Sequence, residues 1–213
     1  MNESVGCTLK EKVYKQIIEL ICSGQFATGS LITEPQMIEL SGASKSPVRE
    51  ALLQLCYEGT LKNIPRCGYQ VVPISVKDIH DLTEMRLILE LHNITKIAPS
   101  ITPAHIAELK KMAENRHQKD KDVWTARTNN LLFHIYLAEI AHNKYLCETL
   151  QRLFAVCTRA YAQLYTSSPQ LLAPEKDHFH DLLIQALEAH DTPQAQACLE
   201  QDILLMERQL LQG

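Results

Sequence analysis

The sequence predicts a mainly α-helical chain in two parts: a small N-terminal unit ending in a hairpin, and a C-terminal antiparallel all-α helical bundle. Two observations predict this. Residues 9–73 fit helical patterns and two β-prone runs between glycine-marked turns. From about Ser75 onward strand signals fade, and glycine does not recur until Gly213. The change falls at Ser75-Val76-Lys77-Asp78, a short hinge that also caps a helix, so the domains read as residues 1–75 and 76–213.

The N-terminal elements follow in order. Over residues 9–22, Leu9, Val13, Ile17, Leu20 and Ile21 recur close to a helical period. Thr33-Glu34-Pro35-Gln36-Met37 starts a short helix that ends at Ser41-Gly42. Residues 42–52, Gly-Ala-Ser-Lys-Ser-Pro-Val-Arg-Glu-Ala-Leu, open the next helix. Ser46 is its predicted N-cap, Pro47 its first helical residue, and Arg49 projects from its first turn. Val48, Ala51, Leu52 and Leu55 pin it to a core. A helix end rich in donors and cations suits a phosphate backbone and the base edges of a groove. The two helices read as a helix-turn-helix, the second being the reader. Leu61–Ile64 and Tyr69–Val72, joined by Pro65-Arg66-Cys67-Gly68, predict a hairpin wing. Arg66 at its tip fits a minor groove, and Lys62 beside it fits phosphate.

Helical stretches then follow at 77–98, 103–119, 122–141, 145–166, 175–190 and 192–211. The breaks are Pro99-Ser100-Ile101-Thr102-Pro103, His142-Asn143-Lys144, Ser167-Ser168-Pro169 and Asp191-Thr192-Pro193. Short breaks imply antiparallel neighbours.

Some polar residues stand where apolar ones belong. Asp202 interrupts the stripe Ala195, Leu199, Leu205, Met206, Leu210, and His180 extends the stripe Leu183, Ile184, Leu187 by one turn. Asn130 and His134 share a face with Leu131, Leu137, Ala138 and Ala141. Arg86 lies on an inward stripe between Leu82 and Leu89, where it wants an anion: an effector, or Glu90 at i,i+4. The last two helices form a hairpin about the Asp191 turn. His180 stands eleven residues before Asp191 and Asp202 eleven after, so both lie at similar height, about 15–17 Å from the turn. Two imidazoles and a carboxylate from three helices make a credible site for a divalent ion. A metal-free ligand pocket and a purely structural hydrogen-bonded network remain alternatives. His178 points away from this cluster, and Trp124, near a helix start, reads as a packing residue.

Residues 9–73 resemble the winged helix-turn-helix of the GntR family of bacterial transcription regulators. Gly24, Gly29, Glu34, Gly42 through Leu52, Glu58-Gly59, Arg66 and Gly68 carry the likeness. The resemblance implies DNA contacts at Ser44, Lys45, Ser46 and Arg49, with Arg66 and Gly68 at the wing; Glu34, Gln36, Pro47 and Lys62 complete the predicted DNA-binding set. Family members usually carry arginine where this chain has Pro35 and Lys45, and lysine lacks arginine's planar fork. Residues 77–211 resemble the FCD effector-binding domain of the FadR branch, in its shorter, VanR-like, six-helix form. The likeness is carried by Asp78 through Arg86 with Glu90, by Asn130 through His134, and by His180 through Ala186 with Asp191 and Ala195. Many FCD domains hold a metal with one Asp and three His. Those positions fall on Asn130, His134, His180 and Asp202, so the carboxylate has moved across the site. The resemblance implies an effector site at Arg86, Asn130, His134 and His180, with a small carboxylate beside a Zn, Ni or Mn type ion.

Composition bounds the rest. Residues 1–75 hold 5 Lys and 2 Arg against 7 Glu, and the whole chain is −4, so little charge is spare for non-specific DNA binding. The seven cysteines show no CxxC pair, which fits a reducing cytoplasm; Cys67 on the wing is the one expected to be exposed. No apolar run approaches the ~20 residues of a membrane span. The expected protein is a homodimeric transcription regulator on a palindromic double-stranded operator, with no membrane partner and not an enzyme. A metal-dependent hydrolase would need a general base that no motif here supplies. A DNA-binding protein with a purely structural bundle would leave Arg86 and the His/Asp cluster unexplained.

Overall fold

A computed structural model describes residues 8–116, 123–167 and 178–211. The chain divides into two compact units, Met1–Ile74 and Ser75–Gly213.

In the first unit, α1 (Leu9–Cys22) begins with a capping box. Thr8 accepts from the Glu11 amide and Glu11 accepts from the Thr8 amide. A two-residue strand β1 (Leu31–Ile32) leads into α2 (Glu34–Ser41), capped by Thr33 and Gln36 and stopped at Gly42, whose φ is 65°. Helix α3 (Lys45–Tyr57) follows, then β2 (Leu61–Ile64) and β3 (Gly68–Val71). Ile17, Ile32, Met37, Val48, Leu52, Leu55 and Leu61 are buried together beneath these elements. Each such side chain contributes roughly 1.5–3 kcal/mol.

Two features differ from the sequence expectation. The N-cap of α3 is Ser44, two residues before the predicted Ser46, and Pro47 sits inside the first turn. Proline is tolerated there because the first amides of a helix have no intrahelical partner to lose. The sheet also has three strands, ordered β1-β3-β2 and antiparallel, with Ile32 opposite Tyr69 and Ile64 opposite Gly68.

This packing explains Gly68. Its φ is +125°, and a Cβ there would lie 2.5 Å from the Ile32 carbonyl oxygen. Gly68→Ala is therefore expected to destabilise the first unit by about 1–3 kcal/mol. A urea midpoint equal to that of the wild type would contradict this.

The second unit holds α4 (Val76–Ile97), a short 3-10 turn at Ala98–Ser100, α5 (Pro103–Arg116), α6 (Val123–Ile140), α7 (Lys144–Ser167), α8 (Phe179–Glu188) and α9 (Thr192–Leu211). Ser75 and Asp78 form the capping box of α4. Helix α9 packs on α4 and α8, α5 on α6 and α8, and α7 on α4 and α6. Ile94, Ile97, Leu109, Phe133, Leu137, Leu183, Leu187, Leu199 and Ile203 form the shared core. Asn93 ties α4 to α6 by donating to the Leu137 carbonyl at 2.8 Å. At the α8–α9 turn the Asp191 amide donates to the Ala186 carbonyl, and the Asp191 carboxylate caps α9 through the Gln194 amide at 3.0 Å. No helix among the described residues is long and apolar enough to cross a membrane. His117, the break at Ser168-Pro169 and the side chain of Trp124 lie outside the described residues.

Candidate functional site

Each unit carries one candidate site. In the first, Ser44, Lys45, Ser46 and Arg49 are exposed at the start of α3, and Pro47 is half-buried beside them. Ser44 forms no side-chain cap, and Ser46 donates to Glu50 at 2.8 Å. The Arg49 side chain is 61% exposed, with its Nε 3.6 Å from Glu34 Oε1. The same Glu34 oxygen accepts from the Tyr69 hydroxyl at 3.2 Å. Glu34 therefore bonds α2 to β3 and stands within ion-pair reach of Arg49 on α3. Gln36 is the N3 partner of the α2 capping box, bonded to Thr33. Lys62 is exposed on β2, and Arg66 is exposed at the wing tip with φ 65°. Gly68 serves the close β1–β3 approach described above. The chain thus presents cations from a helix start and a hairpin tip, as a winged reader requires. The part played by Tyr69 was not visible in the sequence, because a tyrosine in a β-prone run reads first as packing. Cys67 is exposed, Cys157 and Cys198 are buried, and Cys22 and Cys56 are half-buried.

The second site is fully buried. Glu90 Oε1 accepts from Arg86 Nε at 2.6 Å, and Glu90 Oε2 meets His134 Nδ1 at 2.6 Å. His134 Nε2 lies 3.0 Å from Asp202 Oδ2, and His180 Nε2 lies 3.5 Å from Asp202 Oδ1. Arg86, Glu90, His134, Asp202 and His180 thus form one continuous polar chain across α4, α6, α9 and α8. Apolar groups hold it in place. Phe133 stacks on His180 with ring centroids 4.0 Å apart, and Arg86 lies over Phe154 at 4.8 Å. Arg86 Nη1 also donates to Met206 Sδ at 3.0 Å. The anion that buried Arg86 wants is therefore already present in Glu90. Burial pushes the Cys157 thiol up to about 11, although Arg86 pulls the other way. That thiol stays protonated beside the guanidinium.

The charges follow from this geometry. Burial opposes ionisation of Glu90, but Arg86 and then His134 overcome it and hold the carboxyl below its usual range. Burial likewise opposes charge on His134, yet Glu90, chiefly, raises it above the ordinary 6.5, with Asp202 adding to the shift. Asp202 is held well below the usual carboxylate range, against its burial, by His180 and His134. The signs define a window for the metal-free protein. The lowered Glu90 and Asp202 contribute stability above their unfolded values, and this is lost as pH falls through their folded values. The raised His134 contributes fully below 6.5, and its contribution is lost as pH climbs through its folded value. The metal-free second unit is expected to be most stable in mildly acidic solution and to weaken on the alkaline side. A thermal midpoint that keeps rising from pH 6 to 9 would contradict this.

Does this donor set fit a metal ion? A neutral imidazole has one N–H, yet both His134 nitrogens face carboxylates. The second nitrogen must carry a proton or meet a cation, and Arg86 Nη2 already lies 3.3 Å from Nδ1 and 3.5 Å from Nε2. One ligand atom each from His134, His180 and Asp202 lies within 4.8 Å of the others. Ligands at about 2.0–2.1 Å from a tetrahedral ion stand roughly 3.3 Å apart; the two histidine nitrogens lie 3.0 and 3.5 Å from the two oxygens of Asp202. Asn130, one turn before His134, has a buried Oδ1 with no hydrogen-bond partner, and such an acceptor calls for a partner. The set fits a divalent ion.

Comparison with known proteins decides the family. Residues 9–71 match the family model of bacterial regulatory proteins, gntR family, and residues 81–204 match the FCD domain. The chain belongs to the GntR family of transcription regulators. Among its relatives, the HTH-type transcriptional regulator McbR of Escherichia coli (strain K12) is 26% identical over 193 residues, covering 87% of each chain. An uncharacterized HTH-type regulator of Bacillus subtilis (strain 168), YdhC, is 28% identical over 66% of this chain and 64% of its own length. The solved structure of E. coli McbR superposes with a TM-score of 0.75 at 22% identity, covering 96% of this chain and 98% of that one, which shows the same fold. This GntR protein is thus a DNA-binding regulator with an FCD effector-binding domain, and the relatives named here are regulators, not enzymes.

Proposed function

We propose that this regulator is a repressor governed by a small organic acid, which it senses through a divalent ion held by His134, His180 and Asp202, with Asn130 one turn away. The observation that carries the reading is the convergence of His134, His180 and Asp202 from three helices, with one ligand atom of each within 4.8 Å of the others. A bound ion would supply a Lewis-acid seat for a carboxylate oxygen. With both ligand imidazoles neutral, Arg86 and a divalent ion bring three positive charges and Glu90 and Asp202 two negative ones. The net +1 favours an anionic effector. Because Glu90 already occupies Arg86, a carboxylate would meet the ion first.

The same reading includes a homodimer on a palindromic operator, since a two-fold protein matches two-fold half-sites. Ile88 and Met85 on α4 are 57% and 41% exposed, and Tyr145 on α7 is 76% exposed. Ile88 and Tyr145 border a cleft of about 640 Å³. Asp81 and Glu84 precede the apolar pair on α4, and His92 and Lys96 follow it. Pairing α4 antiparallel with its copy sets acid against base. The gluconate operon transcriptional repressor of Bacillus licheniformis is among the relatives, which supports repression as the sign. The effector shifts operator affinity only by its differential affinity for the two states.

The test is operator binding followed by fluorescence anisotropy, with Zn²⁺, Ni²⁺ or Mn²⁺ added first and chelating carboxylates second. Release of operator that needs both additions supports the proposal. Release by carboxylates in the presence of a strong chelator would overturn the metal part of it.

A further inference from the structure

We propose that Glu90 is the positioning carboxylate of the ion site, choosing which nitrogen of His134 faces the ligand cluster. This rests on the reading of His134, His180 and Asp202 as an ion site. Its two oxygens are divided, one to Arg86 Nε and one to His134 Nδ1, each at 2.6 Å. A carboxylate serving only as a counter-charge to arginine commonly takes the guanidinium with both oxygens. Here one oxygen is diverted to the imidazole.

The diversion has a chemical result. A neutral imidazole carries a single N–H, and the hydrogen bond made by one nitrogen decides the role of the other. With Nδ1–H donated to Glu90, the Nε2 lone pair is left on the side of Asp202 Oδ2, 3.0 Å away. The opposite tautomer would put a proton where a ligand lone pair is needed. Glu90 can fix this only because it is itself fixed: Arg86 holds Oε1, and Phe154 and Met206 hold the guanidinium. Arg86 therefore acts on His134 through Glu90, and its Nη2 also reaches the ring directly, 3.3 Å from Nδ1 and 3.5 Å from Nε2. Hydrogen-bonded partners of ligand imidazoles typically account for 10–100-fold in metal affinity.

The probe is Zn²⁺, titrated into full-length protein against a chromogenic chelator. Removing Glu90 alone would strand a buried Arg86, so the pair is replaced together. Arg86→Met/Glu90→Met is expected to unfold cooperatively and to bind Zn²⁺ about 10–100-fold more weakly than the wild type. Arg86→Met/Glu90→Gln keeps an acceptor for Nδ1–H and is expected to recover most of that loss. A second measurement needs no variant. In ¹⁵N NMR of the Zn²⁺-loaded wild type, His134 Nδ1 should carry a downfield, slowly exchanging proton. Ligation through Nδ1, equal affinities of the wild type and the Met/Met variant, or a Met/Gln variant as weak as Met/Met would each overturn the role of Glu90 and leave the ion site standing. Failure of the wild type to take up Zn²⁺ would overturn both.

Discussion

Arg86→Ala lowers the stability of the second unit by about 3–5 kcal/mol, the range for breaking a buried ion pair from one side. Arg86 is fully buried and Glu90 nearly so, so bulk solvent does not screen the pair. Truncation leaves the Glu90 carboxylate with His134 alone and opens a void beside Phe154 and Met206. Two costs add, an uncompensated charge and a cavity. The pair can be removed together at far smaller cost, because neither charge is then stranded. A guanidinium chloride midpoint for Arg86→Ala close to that of the wild type would mean that Glu90 finds another cation, and the polar chain described here would be wrong.

The second large effect lies in the first unit. Arg49→Ala is expected to weaken operator binding by about 1–3 kcal/mol per half-site, doubled where two half-sites are engaged. The side chain is exposed, and its neighbour Glu34 keeps the hydrogen bond from Tyr69, so the fold has little to lose. Binding measured at fixed salt should fall roughly tenfold or more while the thermal midpoint stays put. Affinity equal to the wild type would refute the role of Arg49 as a reader.

Much of this architecture was legible in the sequence because helices announce themselves through period and punctuation. Thr33, Gly42 and the Asp191 turn are stop and start signals with a local physical cause, and the elements they bound lie where those signals place them. The approach of His180 and Asp202 was legible for a related reason. A helical hairpin has a fixed rise, so equal distances from the turn bring two residues level. Glu90 was harder to read. Its i,i+4 spacing from Arg86 announces the ion pair, but its second bond crosses from α4 to α6 and depends on packing that no local pattern encodes. Strand β1 has two residues, too few to show a period, and its pairing with β3 explains Gly68 better than any turn rule does. The N-cap of α3 moved from Ser46 to Ser44 because both serines suit a first turn that tolerates Pro47.

The proposed sensing of a carboxylate through this bundle depends on a divalent ion held by His134, His180 and Asp202. Elemental analysis of purified, untagged protein tests it most directly, with the His134→Ala/His180→Ala variant measured beside it. Near-stoichiometric metal is expected in the wild type and its loss in the variant. A wild type that retains none, after Zn²⁺, Ni²⁺ and Mn²⁺ have been offered and the excess removed, would contradict it.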